Sequence, residues 1–289
     1  MEILLAEDMG FCWGVRRAID IMEKAAQERG QIVSVGPIVH NPQVVKELEA
    51  KGVRVGGDPG QVESLPVAIT AHGAGPEVLE TARERGAEVI DTTCPIVTRS
   101  QRWARKMAEA GFTVVVFGDP AHREVKGVLG WAGQKGIAVT DAADLPRDLQ
   151  SRLAVISQTT QSPAKFAAFV SMLLQSRVGQ IGELRVVNTL CDVTSHQQSV
   201  ARELAQEVDL MVVVGGRSSA NTRHLVEVCV EEGVPAHHVE TPDELEGDWF
   251  RDCRRVGVTA GASTPDSIVE AVVERMRAIG EEMESGAGQ

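Results

Sequence analysis

Short runs of apolar and β-branched residues recur along this chain, spaced so that one helix fits between neighbours. VAIT (67–70), AEVI (87–90), FTVVVF (112–117), LAVIS (153–157), LRVV (184–187), LMVVV (210–214) and RVGVT (255–259) are too short for helices and too uniformly apolar for a half-wetted sheet. Such runs predict strands buried on both faces. Between them, GVRRAIDIMEKAAQERG (14–30) and TRSQRWARKMAEAG (98–111) carry apolar residues at the three-to-four spacing of a helix with one polar side. Strand and helix in regular alternation predict parallel sheets covered by helices. No Pro/Ser-rich linker divides the chain, and only EEMESGAGQ (281–289) reads as a frayed polar tail.

The pattern also repeats at a longer period. VIDTTCPIVTRSQRWARKMAEAGFTVVVFGDPAHREVKGVL lies over VVNTLCDVTSHQQSVARELAQEVDLMVVVGGRSSANTRHLVEV, and the N-terminal stretch from LLAEDMGFCWGV follows the same plan of strand, cysteine, helix, strand and polar loop. In each copy a loop residue comes 28 positions after the cysteine: Cys12 to His40, Cys94 to His122, Cys191 to Ser219. A second polar loop follows a later strand, with His72 in AITAHG, Thr159 in VISQTT and Ser263 in VTAGAS. The expected fold is α/β, three pseudo-repeated modules with parallel sheets. They span 14–93, 94–190 and 191–289, the N-terminal strand 1–13 joining the third. Ligands of parallel sheets bind outside the carboxyl ends of the strands. Modules that turn these ends to a common centre gather three cysteines, ringed by His40, His72, His122, Glu124, Thr159, Ser219, Asn221 and Ser263.

Composition narrows the chemistry. Of the 289 residues 43% are apolar, enough for sizeable cores, and the formal charge is -12. That charge opposes nucleic acid as a partner. No stretch approaches the roughly 20 apolar residues that span a bilayer, and MEILLAEDMG lacks the basic start and cleavage site of an export signal. A cytoplasmic protein without membrane partners is expected. Five cysteines without a CxxC pair point to thiols, catalysis or metal, not to a disulfide scaffold.

Three equivalent cysteines suit either a zinc site completed by a histidine or an iron-sulfur cube with one open iron. Cys229 and Cys253 occupy no equivalent place and read as packing residues. The histidines with Ser219, Asn221 and Ser263 form a donor set suited to phosphate or diphosphate, helped by the helix starts in HNPQVVKEL, SANTRHLVEV and STPDSIVEAV. Glu124, two residues past His122, is placed to hold a proton in a partly desolvated pocket. A noncatalytic iron-sulfur sensor needs neither this acid nor the anion cradle; the second alternative is a zinc-dependent hydrolase of a phosphorylated metabolite, with a histidine completing the metal shell.

At these residues the chain resembles the IspH/LytB family, the 4-hydroxy-3-methylbut-2-enyl diphosphate reductases, which perform the last step of the methylerythritol phosphate route to isoprenoids. GFCWGVRRAI, VHNPQVV, AHG, DTTCPIV, HREVKG, SQTT, TLCDVTSHQQSV, SSAN and TAGASTPD follow in family order over nearly the whole chain. The resemblance implies a trefoil of the three modules around an oxygen-sensitive 4Fe-4S cluster, with Cys12, Cys94 and Cys191 as its thiolate ligands. It implies that His40, His72, Ser219, Asn221 and Ser263 grip the diphosphate of a small allylic substrate. His122, Glu124 and Thr159 then surround the C4 hydroxyl, at the fourth iron, as binding and catalytic residues. Two one-electron transfers and protonation through Glu124 expel water, and protonation of the allyl anion at either end gives isopentenyl or dimethylallyl diphosphate. Ferredoxin or flavodoxin is the implied electron donor. Three positions depart from the family pattern: Ala220 stands where a second serine often precedes the asparagine, Arg123 replaces a usual proline, and Gln197 replaces a usual arginine. The ligands and the acid are untouched.

Overall fold

A computed structural model describes residues 1–56 and 65–286. Among them the strands are β1 (Glu2–Leu5), β2 (Ile32–Val35), β3 (Val53–Gly56), β4 (Val67–Ile69), β5 (Val89–Asp91), β6 (Thr113–Phe117), β7 (Gly136–Val139), β8 (Arg152–Ser157), β9 (Glu183–Val186), β10 (Leu210–Val214), β11 (Ala236–Val239) and β12 (Arg255–Ala260). The helices are α1 (Trp13–Arg29), α2 (Pro42–Ala50), α3 (Pro76–Glu84), α4 (Pro95–Glu109), α5 (Arg123–Ala132), α6 (Pro163–Arg177), α7 (Asp192–Ala205), α8 (Ala220–Glu231) and α9 (Asp266–Gly286).

The strands form three four-stranded sheets, in the orders β3-β2-β4-β5, β7-β6-β8-β9 and β11-β10-β12-β1. Every pairing is parallel. The three orders are one topology, in which the chain starts second from the edge, steps outward, then returns to the other side. In the third sheet the last place is taken by β1, Glu2 to Leu5 lying in register with Arg255 to Val258.

The chain divides into two compact units, one of residues 1–13, 40–44 and 192–289, the other of 14–39 and 45–191. In the second unit all of β6 is buried, and its side chains alternate between two cores. Val114 and Val116 pack with Met107, Val125 and Val128 of α4 and α5 on one face. Val115 and Phe117 pack with Phe166, Phe169 and Leu173 of α6 on the other. In the first unit β10 does the same, with Val212 and Val214 against Val272 and Met276 of α9, and Met211 and Val213 against Ala201 and Leu225 of α7 and α8. Each valine so buried contributes about 1.5–3 kcal/mol, which holds the strand ends and the loops after them in place.

Helix starts are written locally. Proline opens α3, α4 and α6, where its missing N–H costs nothing and its fixed φ suits the first turn. One expectation needs correction: the polar segment from residue 281 is helical through Gly286, not frayed. Met283 extends the apolar stripe of α9 onto the core, and Arg275 pairs with Glu282 at 2.8 Å. Residues 287–289 lie outside the described residues.

Candidate active site

All three repeated cysteines occupy the same local position. Each immediately precedes a helix: Cys12 before α1, Cys94 before α4, Cys191 before α7. Each also donates its backbone N–H to a carbonyl just past a strand, Cys12 to Ala262 (3.0 Å), Cys94 to Ala71 (3.0 Å) and Cys191 to Thr159 (2.8 Å). Helix starts favour negative charge. The hydrogen bonds also refine the repeat. Ala71, Thr159 and Ala262 are the equivalent residues, so His72 and Ser263 correspond to Thr160, and Thr159 sits one place earlier than the spacing suggested.

In the second unit, Cys94 is the N-cap of α4, without a side-chain capping hydrogen bond and just ahead of the N–H groups of Ile96 and Val97. Burial pushes its thiol up; those N–H groups oppose the shift, while Cys191 and Glu124 lie near enough to add to it. Two arginines reach the carbonyls just before these cysteines, Arg17 to Thr93 at 3.2 Å and Arg99 to Leu190 at 2.9 Å. Sequence reasoning passed over both arginines, although GVRRAI and TRSQR place them one turn into the cysteine-led helices.

The acid lies beside these thiols. Glu124 is 3% exposed, in the first turn of α5. Thr159 grips both of its oxygens: the backbone N–H donates to Oε1 at 2.7 Å and the hydroxyl to Oε2 at 2.8 Å. Burial nevertheless raises the carboxyl to about 7, the two Thr159 bonds holding it lower than burial alone would. His122 caps the same helix, its Nδ1 accepting the Glu124 N–H at 3.2 Å. An Nδ1 that accepts leaves the ring proton on Nε2, so His122 offers a donor there. Its ring meets His72 edge-on, centroids 5.7 Å apart, and His72 Nδ1 shares a hydrogen bond with Thr70 Oγ1 at 3.2 Å.

The His72 loop is seated on the helix that carries the acid. Trp131 Nε1 and Gln101 Nε2 both donate to the Ala74 carbonyl, at 2.9 and 3.3 Å. A Cβ on Gly130 would come within 2.9 Å of the Gly75 Cα, so glycine is what lets loop and helix touch. Of the departures from the family pattern in this unit, Arg123 donates through Nη1 to the Val35 carbonyl at 3.3 Å.

The first unit holds Cys12 and the anion-binding candidates other than His72. Ser219 caps α8, its hydroxyl accepting the Thr222 N–H at 3.2 Å. Asn221 is buried in the first turn, next to Ala220. Ser263 donates to the His40 carbonyl at 3.3 Å. That carbonyl also lies where a Cβ on Gly216 would be, 2.3 Å away. Asn41, overlooked in the sequence, caps α2 through Oδ1 with the Gln43 and Val44 N–H groups at 3.0 and 3.1 Å. Cys229 is fully buried and its thiol is raised to about 12 by burial, as befits an inert packing residue. Among the described residues no group of three or more His, Cys, Asp or Glu side chains converges as around a single metal ion. No helix among them is long and apolar enough to cross a membrane.

Three parallel sheets of one topology, cysteines at the heads of equivalent helices and a carboxyl poised near neutrality define a parallel α/β enzyme of redox or metal-assisted proton chemistry. The model of the LytB protein family matches residues 3–277, and the chain belongs to that family. It is 44% identical over 275 residues to the 4-hydroxy-3-methylbut-2-enyl diphosphate reductase of Dehalococcoides mccartyi (strain CBDB1), covering 94% of this chain and 96% of the relative. Among solved structures it is similar to the E-1-hydroxy-2-methyl-but-2-enyl-4-diphosphate reductase of Plasmodium falciparum, with a TM-score of 0.88 and 27% identity over 94% of this chain and 87% of that one. A second, (E)-4-hydroxy-3-methyl-but-2-enyl diphosphate reductase, described as the terminal enzyme of the non-mevalonate pathway, is 37% identical over 96% of this chain and 100% of that one, with a TM-score of 0.69.

Proposed function

We propose that this chain is a 4-hydroxy-3-methylbut-2-enyl diphosphate reductase. It removes the C4 hydroxyl of the allylic diphosphate reductively, the new C–H forming at one end of the allyl system or the other to give dimethylallyl or isopentenyl diphosphate. Per turnover two electrons and two protons enter, the C4–O bond breaks, water leaves and one C–H bond forms. The observation that carries the reading is the buried Glu124–Thr159 pair beside Cys94 and Cys191 in a LytB-family chain.

Cys12, Cys94 and Cys191 are the residues we assign to one 4Fe-4S cluster. The donor set fits such a group: all three are thiols at helix starts, and each is partly exposed, so that a ligand can reach it. Iron held there would take the place of the Cys94 thiol proton, which burial favours. When bound, the cluster supplies electrons one at a time and an iron able to act as a Lewis acid.

The protein's part is to bind, orient and protonate. His40, His72, Ser219, Asn221 and Ser263 are assigned to the diphosphate, whose negative oxygens suit imidazole, hydroxyl and amide donors and the start of α8. Glu124, with its carboxyl near 7, is half protonated in neutral solution. Thr159 Oγ1 can accept that proton from Oε2 while donating its own to the departing hydroxyl, a transfer across the 2.8 Å bond that needs no movement of Glu124. His122, with its proton on Nε2, donates to a substrate oxygen and leaves delivery to Glu124. Electrons come from a ferredoxin or flavodoxin, and the enzyme works in the cytoplasm.

Anaerobically purified protein, given the hydroxylated diphosphate and a reduced one-electron donor, is expected to form both isomeric products, read by mass spectrometry after dephosphorylation. It is also expected to show broad brown absorbance that changes with substrate. Colourless, iron-free protein that hydrolyses the phosphate ester would replace this reading with that of a zinc hydrolase.

A further inference from the structure

Two buried amides in the first unit settle each other's orientation. Gln197, on the buried side of α7, is 1% exposed, and Asn221 on α8 is 3% exposed. The Gly10 carbonyl can only accept, so the Gln197 end facing it, at 3.2 Å, is the donor Nε2. Gln197 Oε1 therefore faces Asn221 and can only accept, so Asn221 turns Nδ2 toward it at 3.4 Å. Asn221 Oδ1 is left buried, with no hydrogen-bond partner among the described residues. A buried carbonyl in that condition marks a place that a donor completes.

We propose that Gln197 is a positioning residue for substrate binding: it fixes the Asn221 amide in one orientation and ties it to the backbone two residues before Cys12. The Cys12 N–H is in turn bonded to Ala262, beside Ser263. The inference rests on the assignment of Asn221 to the diphosphate. It adds a polarity to that contact: Asn221 gives the ligand at most one N–H and presents Oδ1 to a donor, either a protonated phosphate oxygen or a water held by the diphosphate. An apolar side chain of the same length at 197 fills the space but leaves the Asn221 amide free to turn over.

The test is a double-mutant cycle on anaerobically purified protein, with inorganic diphosphate as the probe in calorimetry and the full substrate in turnover. Asn221→Ala is expected to weaken diphosphate binding at least about tenfold, a loss of about 1.4 kcal/mol. Gln197→Met should weaken it by a similar factor and raise KM, with kcat within about threefold, and with iron content and visible spectrum unchanged. In the Asn221→Ala background Gln197→Met should have no further effect. Should Gln197→Met not fold by circular dichroism, Gln197→Leu carries the same expectation. If the unaltered chain does not bind inorganic diphosphate, or Asn221→Ala binds it normally, the anion role of Asn221 falls and this inference with it. If Asn221→Ala weakens binding but Gln197→Met does not, or the two effects add in full, Gln197 does not act through Asn221, while the assignment of Asn221 stands.

Discussion

Replacing Glu124 by glutamine separates proton delivery from everything else the site does. The amide keeps the side chain's shape and can still accept the Thr159 N–H at the Oε1 position, where the bond is 2.7 Å. What it loses is the proton. A carboxyl raised to about 7 from 4.5 is about half protonated at pH 7, against about 0.3% without the shift, so burial enlarges the acid fraction roughly 150-fold. Removing a positioned general acid costs about 10²–10⁴ in turnover. The same shift acts on stability. Below pH 4.5 the carboxyl is protonated both folded and unfolded; as pH rises from 4.5 through 7 the unfolded chain releases the proton first, and stability falls by about 3 kcal/mol before levelling off. Glutamine has no such term. Glu124→Gln is therefore expected to match the unaltered protein in thermal midpoint near pH 4.5, to exceed it by roughly 5–10 °C at pH 8.5, to keep its iron, and to lose the fall in kcat that the parent shows above about pH 7. Calorimetry at the two pH values and a kcat–pH profile read these outcomes. Parallel pH dependence of the two midpoints, or turnover above about a tenth of the parent's, would refute a buried, proton-delivering Glu124.

Other perturbations address the remaining parts. Thr159→Val deletes the hydroxyl bond to Oε2 and keeps the N–H bond; since both Thr159 bonds lower the carboxyl, the fall in kcat should move to higher pH, with turnover down at least about tenfold. Cys12→Ser, Cys94→Ser and Cys191→Ser should each depress iron content and visible absorbance, measured by metal analysis and spectroscopy; full iron in any one removes that residue from the ligand set. Gly216→Ala must displace the His40 carbonyl 2.3 Å from the new Cβ, so it is expected to cost about 1–3 kcal/mol in thermal unfolding and to weaken diphosphate binding.

The central strands and the repeat were legible because burial on both faces leaves a continuous apolar run, as in TVVVF and LMVVV, and because a cysteine tolerates no shift in spacing. Of the outer strands, AEVI and LRVV were legible but others were not. GIAV and AHHV at the sheet edges are short, and their composition suits a loop equally well. At the site, residue types pointed to the acid, thiols and anion donors, and the local geometry of each unit gives most of them a definite partner. Thr159 showed the limit: its polarity marked it, but its match to Ala71 and Ala262 appears only in backbone hydrogen bonds to the cysteines. Gln197 drew notice only as an unusual residue. Its use depends on which end of an amide faces a carbonyl, and composition carries no trace of that.

The pairing of β1 with β12 has a consequence for how the protein is made. Residues 2–5 have no sheet partner until Arg255 to Val258 have been synthesised, about 250 residues later, so the strand that leads to Cys12 stays unpaired for that long. The Met1 amine also lies 3.4 Å from a Glu284 carboxylate oxygen, so the same closure brings residue 1 against α9. Under the proposed ligand set, cluster loading at Cys12 would wait for this pairing to be made.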